Sequence, residues 1–135
     1  MTLLTWNHDC AVGVRAMDDQ HSILLDTLNE LRLALVRGRG REHVTDIFDR
    51  LIEFTRMHFW SEEQLLEQSK YPLLEEHRSA HLRLLSELTQ RARGVQYGEG
   101  AQTHHLLNYL RTSYLDHMEM MDRMYGAYLN DMGIY

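Results

Sequence analysis

The stretch Tyr114-Leu115-Asp116-His117-Met118-Glu119-Met120-Met121-Asp122 decides how the chain is read. It belongs to a helical pattern over about 101–130, whose apolar stripe is Leu106, Leu110, Tyr114, His117, Met121, Met124 and Tyr128. Into or beside that stripe it sets a histidine and an aspartate, His117 and Asp122. An imidazole and a carboxylate taken out of water cost free energy unless something pairs with them. The last helix therefore expects polar partners inside the fold.

Working back along the chain, three more helical patterns make the same demand. The pattern over 73–93 places Leu74, His77, His81, Leu84 and Leu88 on one face. The pattern over 41–68 aligns Ile47, Leu51, Phe54, His58, Glu62 and Leu65, and Lys70-Tyr71-Pro72 ends it, with Pro72 suited to the next first turn. The pattern over 18–37 aligns His21, Leu24, Leu25, Leu28, Leu31 and Leu35, with Asp18 or Asp19 as its cap and Gly38-Arg39-Gly40 as its stop. Residues 1–17 read as an extended arm, with Trp6 as a plug across one end. Helices of this length with short connections predict a single all-α domain, an up-down-up-down antiparallel four-helix bundle over 1–135.

The bulk numbers exclude several functions. The chain has 135 residues, enough for one core without staples. Its formal charge is −6 and no Lys/Arg cluster stands out, which argues against nucleic acid and against an anionic membrane as partners. No apolar run approaches the ~18 residues of a membrane helix. Cys10 is the single cysteine and suits a reducing cytoplasm. The first residues lack a basic start followed by an apolar stretch, so no signal peptide is expected and the expected location is cytoplasmic. The unusual counts are nine His and eight Met. The methionines fall at helical spacing and read as adaptable packing. His8, His43, His104 and His105 lie off the stripes and read as surface residues.

The histidines on the stripes form a set. Residues at i and i+4 lie about 40° apart around a helix and about 6 Å along it, so both point at one object. His58/Glu62 and His77/His81 are such pairs. Alternating helix directions bring His21, His58, Glu62, His77, His81, His117 and Asp122 to one level near one end of the bundle. Tetrahedral zinc takes only about four ligands, so this donor set exceeds one zinc ion. It suits about two six-coordinate ions bridged by the carboxylates, with one position open and iron favoured over manganese or zinc. The five-residue step from His117 to Asp122 is awkward, because it turns about 140° on a regular α-helix. Either one side chain reaches sideways or the helix carries a π-type distortion.

Taken in order, Asp18-Asp19-Gln20-His21, His58-Phe59-Trp60-Ser61-Glu62-Glu63, His77-Arg78-Ser79-Ala80-His81 and His117 to Asp122 resemble the motifs of hemerythrins. The likeness spans nearly the whole chain and is strongest to the single-domain bacterial branch, the bacteriohemerythrins. It implies a non-haem diiron centre, two Fe ions joined by an oxo or hydroxo bridge, that binds O2 reversibly. By the family pattern His77, His81 and His117 hold one iron, His21 and His58 hold the second, and Glu62 and Asp122 bridge them. Leu24 and Phe59 fit the family's apolar dioxygen pocket. Ser113 and Tyr114 stand where the family usually has Trp and Leu, and Met118 replaces a usual isoleucine. The Tyr114 phenol either fills lost volume or approaches the open coordination position.

The leading expectation is an O2-binding protein for storage, delivery or sensing, with no catalytic residue assigned. The alternative is a diiron oxidase, peroxidase or NO-handling enzyme on the same scaffold, with peroxide or NO as the ligand. A ferritin-like carboxylate protein is disfavoured, because that class uses Glu-x-x-His and no histidine here has Glu three residues before it. The sequence names no protein partner.

Overall fold

The computed structural model describes residues 11–38, 40–96, 103–116 and 120–135. Trp6, His8, Cys10, His117 and Met118 lie outside the described residues, as do the side chains of His104, Ser113 and Tyr114. The molecule is an all-α four-helix bundle. Its helices are α1 (Arg15–Val36), α2 (Arg41–Gln68), α3 (Leu74–Gln96) and a fourth built in pieces: α4 (Thr103–Tyr109), a π-helical segment (Leu110–Leu115) and α5 (Asp122–Asp131). Among the described residues no helix is long and apolar enough to cross a membrane.

Helix α1 begins at Arg15, not at Asp18. Asp18 acts one turn inside the helix, where its carboxylate accepts from the backbone N–H groups of Val12 (2.8 Å) and Gly13 (3.3 Å). The acid that marks the helix start in the sequence thus ties down the end of the arm. Val12 and Gly13 then lie against α5. A side chain at Gly126 would overlap the Val12 carbonyl, so the close approach requires glycine there. Asn130 Nδ2 donates to the carbonyl of Gly13 at 3.0 Å and holds the same contact.

Helix α2 closes with a left-handed residue, as many helices do, but here it is Lys70 (φ 56°) and not glycine. Tyr71 N–H returns to the Leu66 carbonyl and Lys70 N–H to that of Glu67. The Tyr128 hydroxyl donates to the Ser69 carbonyl at 2.6 Å, which fastens the α2 terminus to α5.

Two apolar clusters flank a polar level. The larger joins Leu28 and Leu31 of α1 to Ile47, Phe48 and Leu51 of α2, to Leu88 of α3 and to Leu106 and Leu110 of the fourth helix. The smaller, at the other end, gathers Val12, Val14, Met17, Leu66, Tyr71, Tyr125 and Leu129.

The fourth helix departs from the even stripe read in the sequence. Leu106 and Leu110 are buried as that stripe requires, but farther on Asp122, Tyr125 and Leu129 are buried, and Met124 is 54% exposed. Between these stretches lie the π-helical residues Leu110–Leu115, and residues 120 and 121 are π-helical as well. Taken together, the wider turns displace the buried face beyond them by one residue, about 100° around the helix. The stripe slips by one residue, and the slip turns Asp122 inward.

Candidate metal centre

His21, His58, Glu62, His77, His81 and Asp122 meet between the two apolar clusters, each no more than 1% exposed. Every helix of the bundle contributes: α1 one histidine near its start, α2 a histidine and glutamate one turn apart near its end, α3 a histidine pair at its start, and α5 the aspartate. Ligand-type atoms of His21, His58, Glu62 and Asp122 lie within 4.8 Å of one another, as do those of Glu62, His77 and His81. Glu62 belongs to both groups.

The carboxylates face both ways. Glu62 Oε1 is 2.5 Å from His77 Nε2 and 3.0 Å from His81 Nε2, while its Oε2 is 3.2 Å from His58 Nε2 and 3.7 Å from His21 Nε2. Asp122 repeats the pattern, with Oδ2 3.0 Å from His21 Nε2 and Oδ1 3.3 Å from His77 Nε2. Each acid offers one oxygen to the His21/His58 side and one to the His77/His81 side.

Partners behind the rings fix which nitrogen looks inward. His58 Nδ1 lies 2.6 Å from the Gln20 amide oxygen, which can only accept, so Nδ1 carries the proton. His81 Nδ1 donates likewise to Glu63 Oε2 at 2.8 Å. With the proton on Nδ1, each ring directs Nε2 inward, the nitrogen whose lone pair a metal binds. Phe59 stacks flat on the His81 ring, 3.7 Å between centroids at 4°, and fixes its plane. Leu24, three residues after His21 on α1, is fully buried within the larger apolar cluster.

The electrostatics of the metal-free cluster show what it is short of. Burial alone lowers the pKa of His21 most, but the carboxylates of Asp122 and Glu62 outweigh it and raise it to about 9. His77 is raised to about 9 by the same balance of burial against Asp122 and Glu62. Burial raises Glu62, yet the four surrounding histidines hold it well below the usual carboxylate range. Burial and the neighbouring Glu62 raise Asp122, and His21 and His77 bring it below its usual value. Buried carboxylates thus draw protons onto His21 and His77, where metal cations would neutralise them equally well. His21 Nε2 and His58 Nε2 are only 3.0 Å apart, a distance suited to a shared cation or proton. The donor set fits a metal centre.

The Hemerythrin HHE cation binding domain model matches residues 12–129. The chain belongs to the hemerythrin family. Bacteriohemerythrin of Stenotrophomonas maltophilia is 30% identical over 99 residues, 73% of this chain and 64% of that protein, so the match spans just under two thirds of that relative. Bacteriohemerythrin of Methylococcus capsulatus is 27% identical over 131 residues, 96% of this chain and 99% of that one. Among solved structures, a leucine-to-tyrosine variant of hemerythrin superposes with a TM-score of 0.85 at 27% identity, covering 94% of this chain and 97% of the other. Wild-type hemerythrin gives 0.84 at 26% identity, covering 93% and 97%.

For this hemerythrin-family chain, six of the seven residues expected to bind metal come together; the seventh, His117, lies outside the described residues. Of the expected pocket, Phe59 is buried against the His58 and His81 rings and Leu24 is buried in the larger apolar cluster, while the Ser113, Tyr114 and Met118 side chains lie outside the described part. His43 and His105 are exposed. Sequence reasoning gave no role to Gln20, Glu63 or Tyr125. The Tyr125 hydroxyl donates to Glu62 Oε2 at 3.0 Å from a fully buried position, and burial together with the two acids pushes its own pKa well above the usual value. Gln20 and Glu63 each sit beside a stripe residue in the sequence, and that adjacency was the available signal. Tyr125 was hidden by the slipped stripe.

Proposed function

We propose that this protein holds a pair of iron ions and binds O2 reversibly, for storage, delivery or sensing. The observation that carries the reading is the two-sided carboxylate pair: Glu62 and Asp122 each direct one oxygen to either histidine group. In the proposed assignment His77, His81 and His117 would hold one iron and His21 and His58 the other, with Glu62 and Asp122 shared between them. The iron pair would supply the electrons that O2 binding needs.

The chain's own groups do the rest. Gln20 and Glu63 keep Nδ1 of His58 and His81 protonated, so Nε2 stays a donor. Tyr125 stabilises the negative charge on Glu62. Phe59, stacked on the His81 ring, and the buried Leu24 three residues beyond His21 would exclude water, and a dry site slows the proton delivery that would turn binding into oxidation. Tyr114 belongs to the proposed pocket with Ser113 and Met118. Its phenol would gate solvent or donate a hydrogen bond at the open position, and Tyr114→Leu should then change the rates of O2 dissociation and autoxidation. Equal rates would remove Tyr114 from the pocket. A cytoplasmic setting accords with the single cysteine.

A second reading, a diiron oxidase, peroxidase or NO-handling enzyme, draws on the same phenol, because a polar group in an otherwise apolar pocket could promote O–O cleavage. Gas cycling separates the two. Reversible uptake and release of O2 over repeated cycles, without consumption of reductant, supports the carrier. Steady turnover of added peroxide supports the enzyme.

A further inference from the structure

The histidines behind the two halves of the cluster are backed by unequal partners. His58 Nδ1 donates to Gln20, a neutral amide, whereas His81 Nδ1 donates to Glu63, a carboxylate. Glu63 is itself held from outside: its Oε1 lies 3.4 Å from Arg78 Nε. The same guanidinium reaches Glu75 Oε1 at 2.8 Å and Glu67 Oε2 at 3.1 Å. One cation is therefore shared among three acids, and Glu63 alone of these also touches the cluster.

A carboxylate that accepts the Nδ1 proton pushes electron density into the ring and makes Nε2 a stronger donor. A guanidinium on the other oxygen draws part of that charge away. We propose that Arg78 is a positioning residue that sets, through Glu63, how strongly His81 donates to a metal on the His77/His81 side. This rests on the metal-centre reading above. Arg78 works from the edge of the fold, with a side chain 32% exposed, while His81 is 1% exposed. Glu67 and Glu75 anchor two guanidinium nitrogens and leave Nε to face Glu63. The His58 side has a neutral amide in the corresponding place, so the two metal positions receive different donor strength from the protein alone.

The two halves of the pair should act with opposite sign. Glu63→Gln removes the charge behind His81, weakens the donor and favours the reduced metal. Arg78→Gln releases the full charge of Glu63 onto the ring and favours the oxidised metal. Arg78→Lys keeps a cation near Glu63 and should stay close to the unaltered chain.

The test is the midpoint potential of the iron-reconstituted full chain, measured anaerobically with iron content determined on each sample. The expected result is a higher potential for Glu63→Gln and a lower one for Arg78→Gln, each by about tenfold in relative ferric-to-ferrous affinity, or about 59 mV for a one-electron couple. Calorimetric titration of the metal-free chains with zinc gives a second readout if a variant loads iron poorly. Zinc affinity should fall for Glu63→Gln by about 10–100-fold and should not fall for Arg78→Gln. Shifts in the same direction for both variants, or none for either, would mean that Arg78 only braces the surface. If the unaltered chain takes up no iron, the metal-centre reading fails and this proposal with it; if it loads normally and the variants do not split, only this proposal fails.

Discussion

At one end of the bundle, Leu28 and Leu31 of α1 meet Ile47, Phe48, Leu51 and Leu88, and the interior is closed by hydrocarbon. Two turns back along α1, His21 meets His58, Glu62 and Asp122 at equal depth, and the interior is closed by charge. The same helices build this end and the polar level next to it, so the contrast isolates what each is for. A buried leucine contributes roughly 1.5–3 kcal/mol through the water it sheds. A buried carboxylate costs several kcal/mol unless its partners are well placed. The leucine end stabilises the fold, and the histidine level, set between the two apolar clusters, is a liability that a bound cation would relieve.

The contrast breaks most sharply at Glu62. Glu62→Gln weakens the acid that serves both histidine groups, so metal affinity should fall by more than the roughly 10–100-fold typical of outer partners. Metal analysis of the purified variant, with circular dichroism to show an intact bundle, checks it. At the leucine end, Leu31→Ala should cost about 2–5 kcal/mol in urea unfolding and leave metal content unchanged. If instead Leu31→Ala empties the site, the two regions are not independent.

The histidine level should also give the metal-free protein a distinctive pH profile. His21 and His77 have folded pKa values raised to about 9, so the stability they contribute is full below their unfolded value near 6.5 and is lost as pH rises through about 9. Glu62 and Asp122 are depressed, so their contribution is full above their unfolded values and is lost as pH falls through the folded ones. The metal-free chain should be most stable between about pH 4.5 and 6.5. Thermal melts on both sides of that range test it, and metal-loaded protein should lack the alkaline decline, because metal then takes the place of the protons. The smallest effect is expected at Tyr125. Tyr125→Phe removes one hydrogen bond to Glu62, which keeps its histidine partners, so the metal-free fold should lose about 1 kcal/mol.

Much of this contrast was legible in the sequence, and the failures have a common cause. His21 to Leu31 repeats at steps of three and four, and α1 buries that face. His58/Glu62 and His77/His81 were legible for the same reason. The stripe of the last helix was legible only as far as Leu110, because Arg111-Thr112-Ser113-Tyr114 carries no residue that announces a wide turn. The π-helical turns move the buried face by one residue, so Tyr125 replaces Met124 inside and Asp122 comes to face the histidines. Gln20 and Glu63 escaped assignment because their partners lie on other helices, and no local spacing records such a contact.

We propose that the histidine cluster holds an iron pair that takes up O2 reversibly, and the optical spectrum of the anaerobically reduced protein before and after air, with iron measured on the same sample, tests it. A pair of irons per chain is expected, with a visible band that appears with air and fades when O2 is removed. A chain that takes up no iron after anaerobic reconstitution, or one whose loaded spectrum does not respond to O2, would contradict it.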